Sequence, residues 1–297
     1  MKEPKKVIIV GVDGSTFDLL IPWIEKGFLP TFKRILRNGV CSPLISTIPP
    51  KSPPAWASFM TGVNPGKHGI FDFLRFKGRL IPVSSLNIRS KTMWEILSEK
   101  RKNVILLNVP LTYPPKKISG AVIPGILSPP DFSTYPPEFK KNILREFPEY
   151  RIYNRVRYDN GMEEEYLSDV YELLKLRGEV SLFLLEKFNW DLFMVVFFYI
   201  DQLQHFFWKY MDPGHPKYKP SKFKNAILDY FKFVDNKINL FLGKLSSRTI
   251  LLLVSDHGHG GMHKEVNYNF YLEEKGLLKF KKRSRTSRII NRRVLYN

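Results

Sequence analysis

The chain has 297 residues, 43% of them hydrophobic and 25% charged, with 47 Lys and Arg against 28 Asp and Glu for a net charge of +19. These proportions belong to a globular protein with a large buried core, built as one big domain or two small ones. The single cysteine, Cys41, excludes an intrachain disulfide framework and a cysteine-rich zinc site, and fits a reducing compartment.

VIIVGV (7–12) is a short apolar run that breaks at Asp13, as a first strand does and a signal peptide does not. TFDLLIPWIEKG (16–27) carries apolar residues at helical spacing and ends in a Gly stop signal. In PPKSPPAWASFMTG, the residues AWASFMTG read as a short helix, with Ser52 at the N-cap and Pro53 at the first helical position. TMWEILSEKRK (92–102) predicts a helix and NVILLNV (103–109) a buried strand. Residues 110–160 hold nine of the 22 prolines and read as a substrate-side excursion or a long loop packed on the sheet. A long helix is expected over 162–188, a strand over 190–200, a helix over 223–245 and a strand over 249–255. Strands apolar throughout, alternating with amphipathic helices, predict an α/β fold: a mostly parallel sheet with helices on both faces. No repeat or low-complexity linker divides the chain, so one catalytic domain is expected over 1–297. The longest apolar stretch, LFMVVFFYI from Leu192, is too short to span a bilayer, and the expectation is a soluble, cytoplasmic protein.

KFKKRSRTSRIINRR (279–293) holds eight basic residues and no acidic one. It is a candidate contact for nucleic acid, an anionic membrane surface or an anionic substrate. A solvated chain end is the simpler reading. Aromatics are sparse there and no base-reading motif is visible, which argues against sequence-specific nucleic-acid recognition.

Three of the predicted strands run into an aspartate: Asp13, Asp201 and Asp256. In an open parallel sheet, ligands bind beyond the carboxyl ends of the strands. Three carboxylates crowded at one edge repel one another unless cations lie between them. Each Asp taken singly is explained as a helix cap; three, two of them with nearby histidines, are not. Asp201 and His205 are spaced i, i+4, which places both on one helix face. His257 adjoins Asp256, and the glycines of SDHGHGGMH allow a tight turn there. Oxygen and imidazole donors without thiolate suit zinc, manganese or iron. His68 and His215 read as structural residues. Ser52 reads equally as a stabilising cap and as a nucleophile at a helix start, where free N–H groups attract phosphate.

Together these motifs resemble the alkaline phosphatase superfamily, and most closely its type I phosphodiesterase/nucleotide pyrophosphatase branch. The resemblance rests on VIIVGVDG, PPKSPPAWASFMTG, NPGKHGI, the Asp201/His205 pair and SDHG, in that order. It implies an alkaline-phosphatase-like fold and a metal-dependent phosphohydrolase acting on phosphodiester or pyrophosphate bonds. It implies two divalent ions, usually zinc, with manganese as the alternative. One ion would be held by Asp13, Asp256 and His257 with Ser52, and the other by Asp201 and His205. It also implies in-line attack by Ser52 on phosphorus, giving a phospho-serine that water then hydrolyses. The expected partner is an anionic, phosphate-containing small molecule.

Two departures stand out. Relatives carry an Asn three residues after the nucleophile to hold a phosphate oxygen; here that residue is Ala55, and Lys51 is the candidate replacement. Relatives complete the second metal site with a histidine well beyond the DHG motif. This sequence has none after His263, so His263 is assigned to the metal set, with His259 or water as the alternatives and a shortened member as a further reading. A phosphomonoesterase or phosphomutase of the same superfamily, or a catalytically weak binder of phosphorylated ligands, are the rival functions. A sulfatase is disfavoured, because KSPPAW lacks the Arg of the Cys/Ser-x-Pro-x-Arg context that sulfatases mature.

Overall fold

The computed structural model of the protein describes residues 6–264 and 266–280. By its contacts the chain divides into two compact units, Met1–Gly261 and Met262–Asn297.

The first unit is built on parallel strands whose side chains alternate between two apolar layers. The strands are β1 (Lys6–Val12), β4 (Val104–Val109), β5 (Gly120–Pro124), β6 (Leu192–Phe197) and β7 (Thr249–Val254), in the order β5-β4-β6-β1-β7. A separate antiparallel hairpin pairs β2 (Leu74–Lys77) with β3 (Arg79–Pro82). Ile8 and Val10 of β1 point into one layer, with Leu20, Phe32, Tyr166, Leu203 and Phe231. These come from α1 (Phe17–Glu25), α2 (Pro30–Asn38), α7 (Glu163–Lys187), α8 (Tyr199–Met211) and α9 (Ala226–Leu242). Ile9 points into the other layer, with Trp56 and Met60 of α3 (Ser52–Thr61) and Trp94 of α5 (Met93–Glu99). Helices thus cover both faces, as period-two burial of apolar strands requires. α4 (Pro65–His68) follows α3 directly.

The register brings the strand ends level. Val12 lies opposite Phe197, and Gly11 opposite Val254. Two residues further on, Asp13 and Asp256 leave the sheet side by side. Among the described residues β7 has β1 as its one neighbour in the sheet.

Several boundaries differ from the sequence expectation. The strand expected over 190–200 stops at Phe197, and Asp201 lies in the first turn of α8. The apolar run continues to Ile200 because the first turn of α8 is itself buried, and an apolar run alone does not separate the two states. The short helix begins earlier than AWASFMTG, at Ser52, with Lys51 in extended geometry as its N-cap. Ser52 is therefore the first helical residue rather than the cap. The excursion over 110–160 contains β5 and α6 (Glu138–Glu146).

The second unit, within its described residues, carries α10 (Tyr268–Glu274), capped by the Asn267 side chain accepting from Phe270 N. Of the basic stretch 279–293, residues 281–293 lie outside the described residues. Among the described residues no helix is long and apolar enough to cross a membrane.

Candidate active site

Asp13 follows β1 and is fully buried. Trp56 Nε1 donates to its Oδ2 at 2.7 Å, which fixes the carboxylate plane and leaves Oδ1 facing α3. There Ser52, also buried, directs its Oγ to Asp13 Oδ1 at 3.3 Å and to His257 Nε2 at 3.2 Å. This is the decisive local fact about Ser52. α3 has no side-chain cap, so the hydroxyl is not spent on the helix terminus. The first helical turn also offers few donors to an anion. Pro53 and Pro54 have no N–H, and Ala55 N donates to Lys51 O. The anion cradle expected at a helix start is thereby reduced to Ser52 N.

The 255–257 turn is held from several sides. Gly14 N donates to Asp256 Oδ1 at 3.1 Å, Ser15 N to Ser255 Oγ at 2.8 Å, and Ser255 Oγ to His257 O at 2.7 Å. Ser46 Oγ donates to Asp256 O at 2.6 Å. His257 Nδ1 stands 2.8 Å from Gly258 O. A carbonyl only accepts, so Nδ1 carries the proton and the Nε2 lone pair faces Ser52.

Asp201 and His205 meet on one face of α8, with His205 Nε2 at 3.4 Å from Asp201 Oδ2. His259 comes to the other oxygen, its Nδ1 at 3.3 Å from Asp201 Oδ1. Gln204, buried one turn after Asp201, donates from Nε2 to Gly14 O at 2.8 Å and so ties α8 to the loop after β1. Gly14 has φ +66°, and a Cβ there would lie 2.8 Å from Asp201 Oδ1. Only glycine lets this loop pass so close to Asp201.

The electrostatics are those of a crowded carboxylate pit that the neighbouring histidines compensate only in part. Burial pushes the Asp13 carboxyl well above the ordinary range, and the charges of Asp256 and Asp201 push it further, against the Trp56 and Ser52 hydrogen bonds. Asp256 is raised chiefly by burial, with Asp201 adding to it. Burial also acts to raise Asp201, but its hydrogen bonds to His205 and His259 outweigh this and hold it low. His205 is raised by its hydrogen bond to Asp201. Asp256 Oδ2 is buried and accepts no hydrogen bond, although His257 Nε2 stands 3.4 Å from it. A buried carboxylate oxygen left in this state is costly.

Divalent cations fit these residues. Donor atoms about 2.0–2.1 Å from a tetrahedral zinc lie about 3.3 Å from each other. Around Ser52 and His257 the spacings are 3.2 and 3.3 Å from Ser52 Oγ to His257 Nε2 and Asp13 Oδ1, and 3.4 and 3.7 Å from His257 Nε2 to Asp256 Oδ2 and Asp13 Oδ1. Among the described residues, Asp13, Asp201 and His257 form one group with donor atoms within 4.8 Å, and Asp201, His205 and His259 form another. Asp201 belongs to both.

The remaining sequence candidates are placed as follows. Lys51 Nζ pairs with Asp72 Oδ2 at 2.7 Å, both side chains being a little under half exposed. His263 is exposed and belongs to the second unit. His68 is buried; its Nδ1 accepts from Ile70 N, so its Nε2–H faces Ser58 Oγ at 2.9 Å, a structural tie between α3 and α4. Sequence reasoning passed over Trp56 and Gln204. Both lie at helical positions that read as ordinary core, and nothing in the local pattern marks their polar ends.

Solved structures share this architecture. Phosphonoacetate hydrolase from Sinorhizobium meliloti 1021, in complex with phosphonoacetate, aligns with a TM-score of 0.62 at 18% identity, over 92% of this chain and 63% of that one. Murine ectonucleotide pyrophosphatase/phosphodiesterase 5, in an inactive form in complex with AMP, aligns with a TM-score of 0.55 at 16% identity, over 86% of this chain and 57% of that one. At these identities the likeness speaks for the fold, and the chain spans less than two thirds of either protein's length. No curated protein sequence matches it. The sequence profile of type I phosphodiesterase/nucleotide pyrophosphatase matches residues 7–296. From its first strand through the Ser52, Asp201 and Asp256 motifs, the chain belongs to the type I phosphodiesterase/nucleotide pyrophosphatase family.

Proposed function

We propose that the protein hydrolyses phosphodiester or pyrophosphate bonds, with Ser52 as nucleophile. One observation carries this reading: the Ser52 hydroxyl, free of any capping role, lies between Asp13 Oδ1 and the His257 Nε2 lone pair. With a cation held there, both would be spent as its ligands, and the hydroxyl proton would pass to solvent water. The Ser52 oxygen then attacks phosphorus in line, the bond from phosphorus to the leaving oxygen breaks, and a phospho-serine remains for water to hydrolyse. Two divalent ions, zinc or manganese, held by Asp13, Asp256 and His257 and by Asp201 and His205, would lower the pKa of the hydroxyl and neutralise charge on the transferring phosphoryl group.

The chain's own residues set the rest. Trp56 orients Asp13, the Gly258 carbonyl fixes the His257 tautomer, and Gln204 holds α8 against the Gly14 loop. Lys51 is neutralised by Asp72, and Pro53 and Pro54 supply no N–H. Fixed positive charge near Ser52 is therefore modest, which suits a singly charged diester better than a doubly charged monoester. The substrate is an anionic, phosphate-containing small molecule; the two similar proteins are in complex with phosphonoacetate and with AMP, both phosphorus-bearing anions.

The test compares turnover of bis(4-nitrophenyl) phosphate and 4-nitrophenyl phosphate with added Zn²⁺ or Mn²⁺. The diester should be preferred. Ser52→Ala should lower kcat at least about a thousandfold while the protein still takes up zinc. Turnover unchanged in Ser52→Ala overturns the assignment, and preference for the monoester overturns the substrate class.

A further inference from the structure

The group around Asp201 contains a histidine that the resemblance does not assign. We propose that His259 completes the second cation site beside Asp201 and His205. This rests on the two-cation reading above.

The geometry is specific. His205 Nε2 and His259 Nδ1 approach the two oxygens of Asp201 at 3.4 and 3.3 Å. Both distances match the roughly 3.3 Å edge of a tetrahedral zinc site. The two imidazole rings meet edge to face, with centroids 4.6 Å apart, so neither blocks the other's nitrogen. His259 is also held in place from behind. Its ring stacks on Trp208, at 5.6 Å between centroids and 27° between planes. Trp208 is in turn fixed by donating from Nε1 to Asp212 Oδ2 at 3.0 Å. The loop reaches this position because Gly261 passes close to the indole, where a Cβ would sit 3.1 Å from Trp208 Nε1. The His259 side chain is 9% exposed, and a loop histidine with no function has no need of a stacked, hydrogen-bonded tryptophan to set its plane. Asp201, His205 and His259 all lie within Met1–Gly261, so the site needs no ligand from the second unit.

The experiment measures zinc per chain by elemental analysis on the 297-residue chain, saturated with zinc and freed of loose ion by gel filtration. The parent should hold two ions. His259→Ala should hold one, or bind the second with affinity reduced by more than the ~10–100-fold that loss of an outer hydrogen-bond partner causes. His263→Ala should hold two. His259→Gln fills the same space without an imidazole and should behave as His259→Ala, which separates loss of a ligand from misfolding. Co²⁺ titration gives a second readout. Co²⁺ should quench tryptophan fluorescence in two phases in the parent and in one in both His259 variants, because Trp208 lies against the His259 ring. Two ions retained in both His259 variants overturn this inference alone. Fewer than two in the parent overturn it together with the two-cation reading.

Discussion

Ser52 shows how one residue's role turns on its neighbours' chemistry. A serine at a helix start ordinarily accepts from the backbone, and sequence alone left cap and nucleophile equally open. Pro53 and Pro54 remove the N–H groups that a cap would serve, and the hydroxyl turns to Asp13 and His257 instead. The aspartates and histidines were legible as single residues, because their spacing from strand ends is visible in the sequence. His259 was harder to place: its partner Asp201 is 58 positions away, and the ring that orients it, Trp208, reads as core. The buried carboxylates also set a pH dependence. In the ion-free chain Asp13 and Asp256 sit above the ordinary value of about 3.9. They keep protons that the unfolded chain has already released. The stability they contribute is full below about pH 3.9 and is lost as pH rises through their raised values. His205, also raised, acts with the same sign from about pH 6.5 upward. Asp201, held low, acts oppositely, but only below about pH 3.9. His68, lowered by burial, acts oppositely below about pH 6.5, so the Tm of chelator-treated protein should fall between about pH 6.5 and pH 8. A Tm that rises over this range would contradict the carboxylate pit.

At the scale of elements, the strands and long helices of the α/β pattern were readable, because buried parallel strands are apolar throughout. What failed was short or mixed. β5 is five residues among prolines, the β2–β3 hairpin is mostly exposed, and α8 starts inside an apolar run. The placing of α8 matters most, because it moves Asp201 from a strand end to a helix. That helix is held to the loop after β1 by the Gln204–Gly14 bond and by the absence of a side chain at Gly14. Gly14→Ala would put a Cβ against Asp201 in a left-handed backbone position. It should destabilise the fold by about 1–3 kcal/mol and weaken zinc uptake, read by urea denaturation and zinc titration. Wild-type values in both measurements would show that the contact yields without cost.

The first unit has one sheet edge unlike the rest of its surface. Among the described residues β7 ends the sheet, and its Ile250 and Leu252, 49% and 42% exposed, are bare on the face that α3 and α5 cover elsewhere. TILLLV carries no charge and no proline, the devices that usually protect an edge strand. Leu252→Lys should leave stability within about 0.5 kcal/mol while lowering dye binding to apolar surface and self-association on concentration, checked by light scattering. Unchanged association would mean that this edge is not the sticky surface. Beside the site runs another exposed stretch, with Val40, Ile45 and Ile48 almost wholly in solvent and Ser46 bonded to Asp256 O. The chain's one thiol, Cys41, is exposed on that stretch. A fluorophore or spin label attached there needs no engineered cysteine and marks each molecule once. Its signal would report, in real time, whether the segment leading to Ser52 shifts when a ligand binds beside it.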